Sequence, residues 1–229
     1  MTNGIKMMEG FDLVGSNANL NSRGWSVAEG AIGASTGRFG GQGYALSVDN
    51  TQTLQLTLEP HNNSPYLSVA FYGKASDLAG NADIFRLQIS AVGSAQVAHF
   101  FLNRGSGGTS LRIWDANDLL LAELLGVFAA NVWNHFEVRA YQDSSIGTLQ
   151  VLLDGVEVYS GTGLDTVRGT FDRAISWSGD TGQLEWVLDD IVIQHSLSLM
   201  PAIVGEHQIS TLLADGAGTN SDWTGSYTD

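Results

Sequence analysis

Residues 131–139 have the sequence Asn-Val-Trp-Asn-His-Phe-Glu-Val-Arg, and residues 147–159 have the sequence Gly-Thr-Leu-Gln-Val-Leu-Leu-Asp-Gly-Val-Glu-Val-Tyr. Apolar side chains alternate with others in both runs, a period of two residues that is typical of strands with one buried side. The residues that share one face are Val132, Asn134, Phe136 and Val138 in the first run, and Leu149, Val151 and Leu153 in the second. The dipeptide Asp154-Gly155 supplies the two positive-φ residues of a type I′ turn. This stretch therefore predicts strands joined by a tight hairpin.

The same alternation recurs along the rest of the chain. Residues 66–74 are apolar on both faces, which favours a central strand. Residues 119–125 are too short and too closely bounded by Asn117 and Gly126 for a stable helix, so a strand is expected there. Further strands are predicted near residues 44–48, 54–58, 85–89, 97–102, 111–113, 171–177 and 184–194. Together these patterns predict an all-β, antiparallel, two-sheet sandwich.

The hairpin of residues 131–160 resembles the central hairpin of laminin-G-like, concanavalin-type jelly rolls. Their pattern is a Trp, a His-hydrophobic pair, and a Gly-Thr strand that ends in Asp-Gly. The Asp189-Asp190 step in the run Leu184–Ile193 resembles the last strand of the same sandwiches. This resemblance covers roughly residues 10–194 and implies a jelly-roll fold. Such folds serve lectins, glycosidases, adhesion modules and viral structural proteins alike, so the fold by itself implies no single function.

Composition excludes several classes of partner. The chain has 10 Lys and Arg against 24 Asp and Glu, a formal net charge of −14. Its overall field therefore repels phosphate backbones and anionic lipid surfaces, so we expect no nucleic-acid partner. No run of 18 apolar residues occurs, so we expect no membrane insertion. Cysteine is absent, which excludes disulfides and thiolate metal sites and fits assembly in a reducing cytoplasm.

Two of the six tryptophans are candidates for stacking against sugar rings. Trp114 precedes an Asp-Ala-Asn turn, and Trp177 precedes Ser-Gly-Asp. Aromatic rings on loop tips of lectin-like sandwiches have this use, although packing in the core is the more common one. Both interpretations stay open from the sequence.

Acidic residues offer a calcium site or a hydrolytic pair. Asp180, Asp189 and Asp190 are the candidate calcium ligands, because carboxylates on sandwich loops supply hard oxygen donors, although solvated acids are expected in so acidic a chain. Glu185 and Asp189 lie four residues apart, which separates them by about 13 Å in a strand. Glycoside hydrolysis needs carboxylates about 5 to 9.5 Å apart, so no enzyme activity and no required cofactor are expected.

Residues 195–229 differ in character from the predicted sandwich of residues 1–194. Isolated apolar residues are separated by polar turns: Ile209, Leu212, Leu213, Trp223 and Tyr227. Such a segment cannot form its own core, so it either docks these anchors on a neighbouring subunit as an assembly arm or folds back on its own sandwich.

The segment Leu212–Ser226 and the opening Glu9-Gly10-Phe11-Asp12 resemble parts of structural proteins of tailed bacteriophages. This resemblance implies a non-enzymatic virion protein on the particle exterior, either tail-associated (tail tip, fibre or baseplate) or capsid-decorating. Its partners would be copies of itself, other virion proteins and host-surface glycans, with assembly in the bacterial cytoplasm. The alternative hypothesis is a carbohydrate-binding or adhesion module.

Overall fold

The computed structural model describes residues 4–9, 25–28, 33–38, 44–48, 53–58, 65–75, 83–91, 95–105, 108–115, 119–129, 131–166, 173–178 and 186–205. These ranges contain fifteen β-strands and no helix. Accordingly, none of these residues belongs to a helix of the length and apolarity needed to cross a bilayer.

The strands follow one another along the whole described chain. In order they are β1 (Gly4–Glu9), β2 (Trp25–Ala28), β3 (Gly33–Thr36), β4 (Tyr44–Val48), β5 (Thr53–Leu58), β6 (Tyr66–Ala75), β7 (Asp83–Ala91), β8 (Ala95–Gly105), β9 (Gly108–Trp114), β10 (Leu120–Phe128), β11 (Asn134–Tyr141), β12 (Gly147–Leu153), β13 (Val156–Leu164), β14 (Arg173–Ser178) and β15 (Trp186–Ser196).

The strands form two antiparallel sheets. The first has eight strands in the order β13-β12-β11-β6-β15-β4-β3, with β1 also paired to β15. The second has seven strands in the order β10-β9-β8-β7-β14-β5-β2. Every pairing within the described ranges is antiparallel. The fold is a two-sheet jelly-roll sandwich of the concanavalin type, as the sequence predicted.

One face of the eight-stranded sheet carries the apolar core. Its central rows, in cross-strand register, are Leu67, Ala140 and Leu149; Val69, Val138 and Val151; and Phe71, Phe136 and Leu153. All nine residues are buried. The rings of Phe71 and Phe136 stack with centroids 5.0 Å apart. Burial of each large side chain contributes about 1.5 to 3 kcal/mol, so these rows fix the register of β6, β11 and β12.

The seven-stranded sheet has an apolar row of its own. Leu54, Trp177, Leu87, Phe100 and Ile113 lie opposite one another on five successive strands. Cross-strand partners lie on the same face of a sheet, and Ile113 is fully buried. The Ile113 side chain therefore belongs to the buried core.

The opposite face of β11 corrects the prediction that this strand has one buried side. Glu137 is 0 % exposed and His135 is 1 % exposed, although both alternate with the core residues. Their burial has two causes. The chain that follows β15 packs over Glu137, and Arg38 lies over Tyr72, which is the neighbour of His135.

The predicted hairpin between β12 and β13 is present. Asp154 has φ 49° and Gly155 has φ 76°, the two left-handed residues of a type I′ turn. The Asp154 carboxylate also accepts hydrogen bonds from the backbone N–H of His135 at 2.7 Å and from Asn134 Nδ2 at 2.9 Å. The turn residue thus ties the hairpin to the start of β11.

Strand β15 ends at Ser196, two residues beyond the end of the sandwich expected from the sequence. We call residues 197–205 the C-terminal strap, because they run back over the same sheet and bond to β11. Three apolar side chains of the strap, Leu197, Leu199 and Ile203, are exposed. The proposed division into a sandwich of residues 1–194 and an arm of residues 195–229 stays a prediction, because residues 206–229 lie outside the described ranges.

Candidate functional site

The face of the eight-stranded sheet that is turned away from the apolar core is polar and aromatic, and we call it the outer face. Successive rows across β6, β11 and β12 are Tyr66, Tyr141 and Thr148; Ser68, Arg139 and Gln150; Ala70, Glu137 and Leu152; and Tyr72 with His135. The core face of the same three strands is apolar in each of the rows described above. The contrast makes the outer face the candidate functional surface.

Three planar polar side chains on this face are joined in series by hydrogen bonds, and we call them the polar row. Arg139 donates from Nη1 to the amide oxygen of Gln150, and Gln150 donates from Nε2 to the Glu157 carboxylate. Arg139 and Gln150 are partly exposed, and Glu157 is exposed. Because each member orients the next, donors and acceptors are held in fixed positions at the surface.

An aromatic pair lies one row away from Arg139 and Gln150. The rings of Tyr66 and Tyr141 have centroids 4.8 Å apart and are tilted by 35°. Both side chains are partly exposed. Two residues along a strand advance about 6.6 Å, so the tyrosine rings and the Arg139–Gln150 pair are close enough to contact the same sugar. Exposed hydroxyls extend this surface toward the sheet edge at Ser160 and Thr162 of β13.

The strap borders this surface at Arg139, on the side away from β13. Arg139 donates from Nη2 to the backbone carbonyl of Pro201. Arg139 therefore joins the polar row to the strap, and the strap in turn limits how far its guanidinium can swing.

Glu137 anchors the strap from beneath. Its carboxylate accepts hydrogen bonds from the backbone N–H of Val204 at 3.0 and 3.1 Å and from that of Gly205 at 3.2 Å. Ser68 Oγ lies 3.5 Å from the same carboxylate. Both oxygens are thus engaged by backbone donors, which gives Glu137 a positioning role.

A second polar cluster lies at the far end of the outer face and includes two candidate calcium ligands. Asp190 pairs with Arg38, with Oδ2 and Nη2 3.1 Å apart, and Asp189 Oδ2 accepts from the backbone N–H of Arg38 at 3.1 Å. The Arg38 guanidinium also lies 3.3 Å from the centre of the Tyr72 ring. The Asp190 carboxylate is therefore paired with a protein cation and the Asp189 carboxylate with a backbone N–H, at a point where the pairing of β15 with β6 shifts register.

The third calcium candidate, Asp180, lies outside the described residues. Within the described ranges, no group of three or more His, Asp or Glu side chains is arranged to hold a metal ion. The structure thus brings Asp189 and Asp190 together around an arginine, and calcium binding stays a prediction.

The structure separates the two predicted stacking tryptophans. Trp114 ends β9 in the row of His99, Gln88 and Ser176. Trp177 lies on β14 in the neighbouring register row, opposite Leu87. Strands β7 and β8 lie between the two tryptophan-bearing strands. Trp114 is partly exposed, and stacking of either tryptophan against a sugar stays a prediction.

The five apolar residues predicted to anchor the tail lie outside the described ranges: Ile209, Leu212, Leu213, Trp223 and Tyr227. The polar row and the tyrosine pair were not predicted from the sequence. A signal was present, because Arg139 and Gln150 alternate with core residues in adjacent predicted strands. Their alignment depends on the register between β11 and β12, which the sequence alone leaves open.

Three solved structures have folds similar to that of this chain. The chain superposes on the conserved carbohydrate esterase of Shiga toxin-encoding bacteriophage phi24B with a TM-score of 0.62 and 16% identity, covering 84% of this chain and 99% of that one. Domain 4 of AbnA, a GH43 extracellular arabinanase from Geobacillus stearothermophilus, solved in complex with arabinotriose, gives a TM-score of 0.58 and 16% identity, with coverage of 85% and 94%. The carbohydrate recognition domain of Emp47p gives 0.57 and 12%, with coverage of 82% and 94%.

At these identities the likeness establishes the fold alone. No family model matches the sequence, and no curated protein matches it. One of the three structures is a carbohydrate recognition domain, one was solved with arabinotriose, and one belongs to a bacteriophage protein.

Proposed function

We propose that the chain is a non-enzymatic carbohydrate-binding sandwich that holds a glycan on the outer face of β11, β12 and β13. The observation that carries the proposal is the polar row beside the tyrosine pair. A sugar ring presents C–H groups on its faces and hydroxyls around its edge. An aromatic ring next to fixed guanidinium, amide and carboxylate groups matches both parts.

The use of Glu137 supports binding without catalysis. A general acid or base needs a free oxygen within hydrogen-bond reach of the substrate. Both Glu137 oxygens already accept from backbone N–H groups, and the side chain is fully buried beneath the strap. Glu157, the carboxylate of the polar row itself, is exposed and bonded to Gln150.

The test is a binding screen against arrayed and immobilised neutral and acidic glycans. We expect a hit whose affinity falls about tenfold in Tyr141→Ala, since an aromatic contact contributes about 1 kcal/mol or more and 1.4 kcal/mol is tenfold. Gln150→Ala should show a similar loss, because it removes the centre of the polar row. Trp114→Ala is the matched control, an aromatic truncation on the other sheet.

Two results would contradict the proposal. One is the absence of binding across the whole panel by folded protein. The other is loss of binding in Trp114→Ala with full binding in Tyr141→Ala, which would move the site to the seven-stranded sheet. Urea unfolding of each variant separates lost binding from lost folding.

A second candidate function is a structural role on the exterior of a bacteriophage particle. The match to a phage protein over 99% of that chain favours it, as does the resemblance of the N- and C-terminal segments to virion proteins. The two functions are compatible, because a tail-associated sandwich can also bind host-surface glycans.

Deleting residues 206–229 leaves the strap and its anchor in place, so the deletion tests the role of the arm separately. We expect the deletion to abolish incorporation into particles, measured by mass spectrometry of purified virions, while glycan binding persists.

A further inference from the structure

Resting on the proposed function, we infer that the glycan recognised on the outer face is uncharged: a neutral hexose or pentose polymer, rather than a uronate, a sialoside or a sulfated sugar. The inference comes from how the one cationic side chain among the described residues of the site is used, and from the charges that surround it.

Arg139 is the one cationic side chain in the described part of the polar row and its flanking rows. Both of its terminal nitrogens already donate, one to Gln150 and the other to the Pro201 carbonyl. A sugar carboxylate is best bound by a guanidinium that offers two parallel N–H donors. A sugar carboxylate would therefore have to share the Arg139 guanidinium with two acceptors that already hold it in place, the Gln150 amide and the Pro201 carbonyl.

Negative charge surrounds the remaining surface. Glu157 is exposed at the outer end of the polar row, and Glu137 lies buried in the adjacent row. A ligand anion within about 5 Å of Glu157 would meet a repulsion of about 1 to 3 kcal/mol at effective dielectric constants between those of water and the protein surface. The net charge of −14 adds a long-range field of the same sign.

Neutral sugars meet none of these penalties. Their hydroxyls both donate and accept, so they can use the Glu157 oxygen that does not bond to Gln150 and the hydroxyls of Thr148, Ser160 and Thr162. The same surface that repels an anion is therefore well supplied with partners for an uncharged ring.

The experiment compares matched ligand pairs on the full-length chain: a neutral oligosaccharide that binds, and the same oligosaccharide carrying a uronic acid or a sulfate. We expect the neutral member to bind at least about tenfold more tightly at low salt, with the gap narrowing as salt rises. In Glu157→Gln the acceptor for Gln150 is kept and the charge is removed. Affinity for the acidic member should then rise several-fold relative to affinity for the neutral member.

Tighter binding of the acidic member by the wild-type chain would overturn the inference and leave the proposed function standing. So would a preference for the neutral member that Glu157→Gln does not reduce. Failure to bind every glycan in the set would overturn the proposed function, and this inference with it.

Discussion

The carboxylate of Glu137, on a central strand, holds the backbone N–H of Val204 at 3.0 Å across 67 residues of sequence. The carboxylate is fully buried, and the strap that it holds covers it. A hydrogen bond to a charged group contributes about 1.5 to 3 kcal/mol, more than an ordinary one. This contact therefore decides whether residues 197–205 stay on the sheet.

We predict that Glu137→Gln lowers the free energy of unfolding by about 2 kcal/mol, because an amide nitrogen would face the donors at Val204 and Gly205. Urea unfolding measures this loss, and hydrogen exchange at residues 203–205 should accelerate. Glu157→Gln is the matched control: its carboxylate is exposed, and its loss should change stability by no more than about 0.5 kcal/mol. Equal effects of the two substitutions would contradict the anchoring role.

Gly147 should tolerate no side chain. A Cβ there would lie 2.1 Å from Thr166 Oγ1 and 2.7 Å from the backbone oxygen of Leu164. Thr166 cannot easily retreat, since its hydroxyl accepts from Asp143 N and donates to the Tyr141 carbonyl. We expect Gly147→Ala to cost about 3 kcal/mol in thermal or urea unfolding.

Gly155→Ala provides the comparison for this prediction. Gly155 has φ +76°, and a Cβ at this position would have no atom within 4 Å. The expected cost of Gly155→Ala is therefore backbone strain alone, about 1 kcal/mol. A cost for Gly147→Ala no larger than that for Gly155→Ala would show that the crowding at Thr166 is relieved by movement.

Asp143 should make the free energy of unfolding depend on pH in the acidic range. Its carboxylate accepts from the backbone N–H groups of Ile146 and Ser145, which hold the pKa of Asp143 below its ordinary value of 3.8. The ionised carboxylate thus contributes stability above that value, and the contribution disappears as pH falls through the lowered pKa. The stability difference between wild type and Asp143→Asn should be constant near neutral pH and shrink below about pH 4. A difference that stays the same into strong acid would contradict this account.

Tyr159 should act at the opposite end of the pH scale. Burial, and then the nearby Asp115 charge, raise the pKa of Tyr159 above its ordinary value of 10.0. The unfolded chain ionises first, so the contribution is complete below pH 10 and is lost as pH rises through the raised pKa. Tyr159→Phe lacks this loss and should therefore gain stability relative to wild type as pH rises above about pH 10. Parallel stability curves in that range would be the contrary result.

Local periodicity was enough to predict the strands from β4 onward and the Asp154-Gly155 turn, because alternation and turn residues are properties of neighbouring positions. Strands β1, β2 and β3 were not predicted. Burial of Glu137 was not predictable, since its partners lie on a strap that follows a different strand. The candidate site could not be predicted from the sequence for a related reason. Arg139, Gln150 and Glu157 each resemble ordinary surface residues. Only the pairing of β11, β12 and β13 brings their side chains within hydrogen-bond reach of one another. The same dependence on register separated Trp114 from Trp177.

Strand β15 lies in the middle of the eight-stranded sheet, between β6 on one side and β4 and β1 on the other. During synthesis more than 180 residues leave the ribosome before Trp186 does, and until then the edges of all three partners lack their central neighbour. The nascent chain must therefore avoid misassembly while its largest sheet is split in two. Contacts of such long sequence separation favour slow closure, and a translation arrest before residue 186 would leave open edges exposed to aggregation.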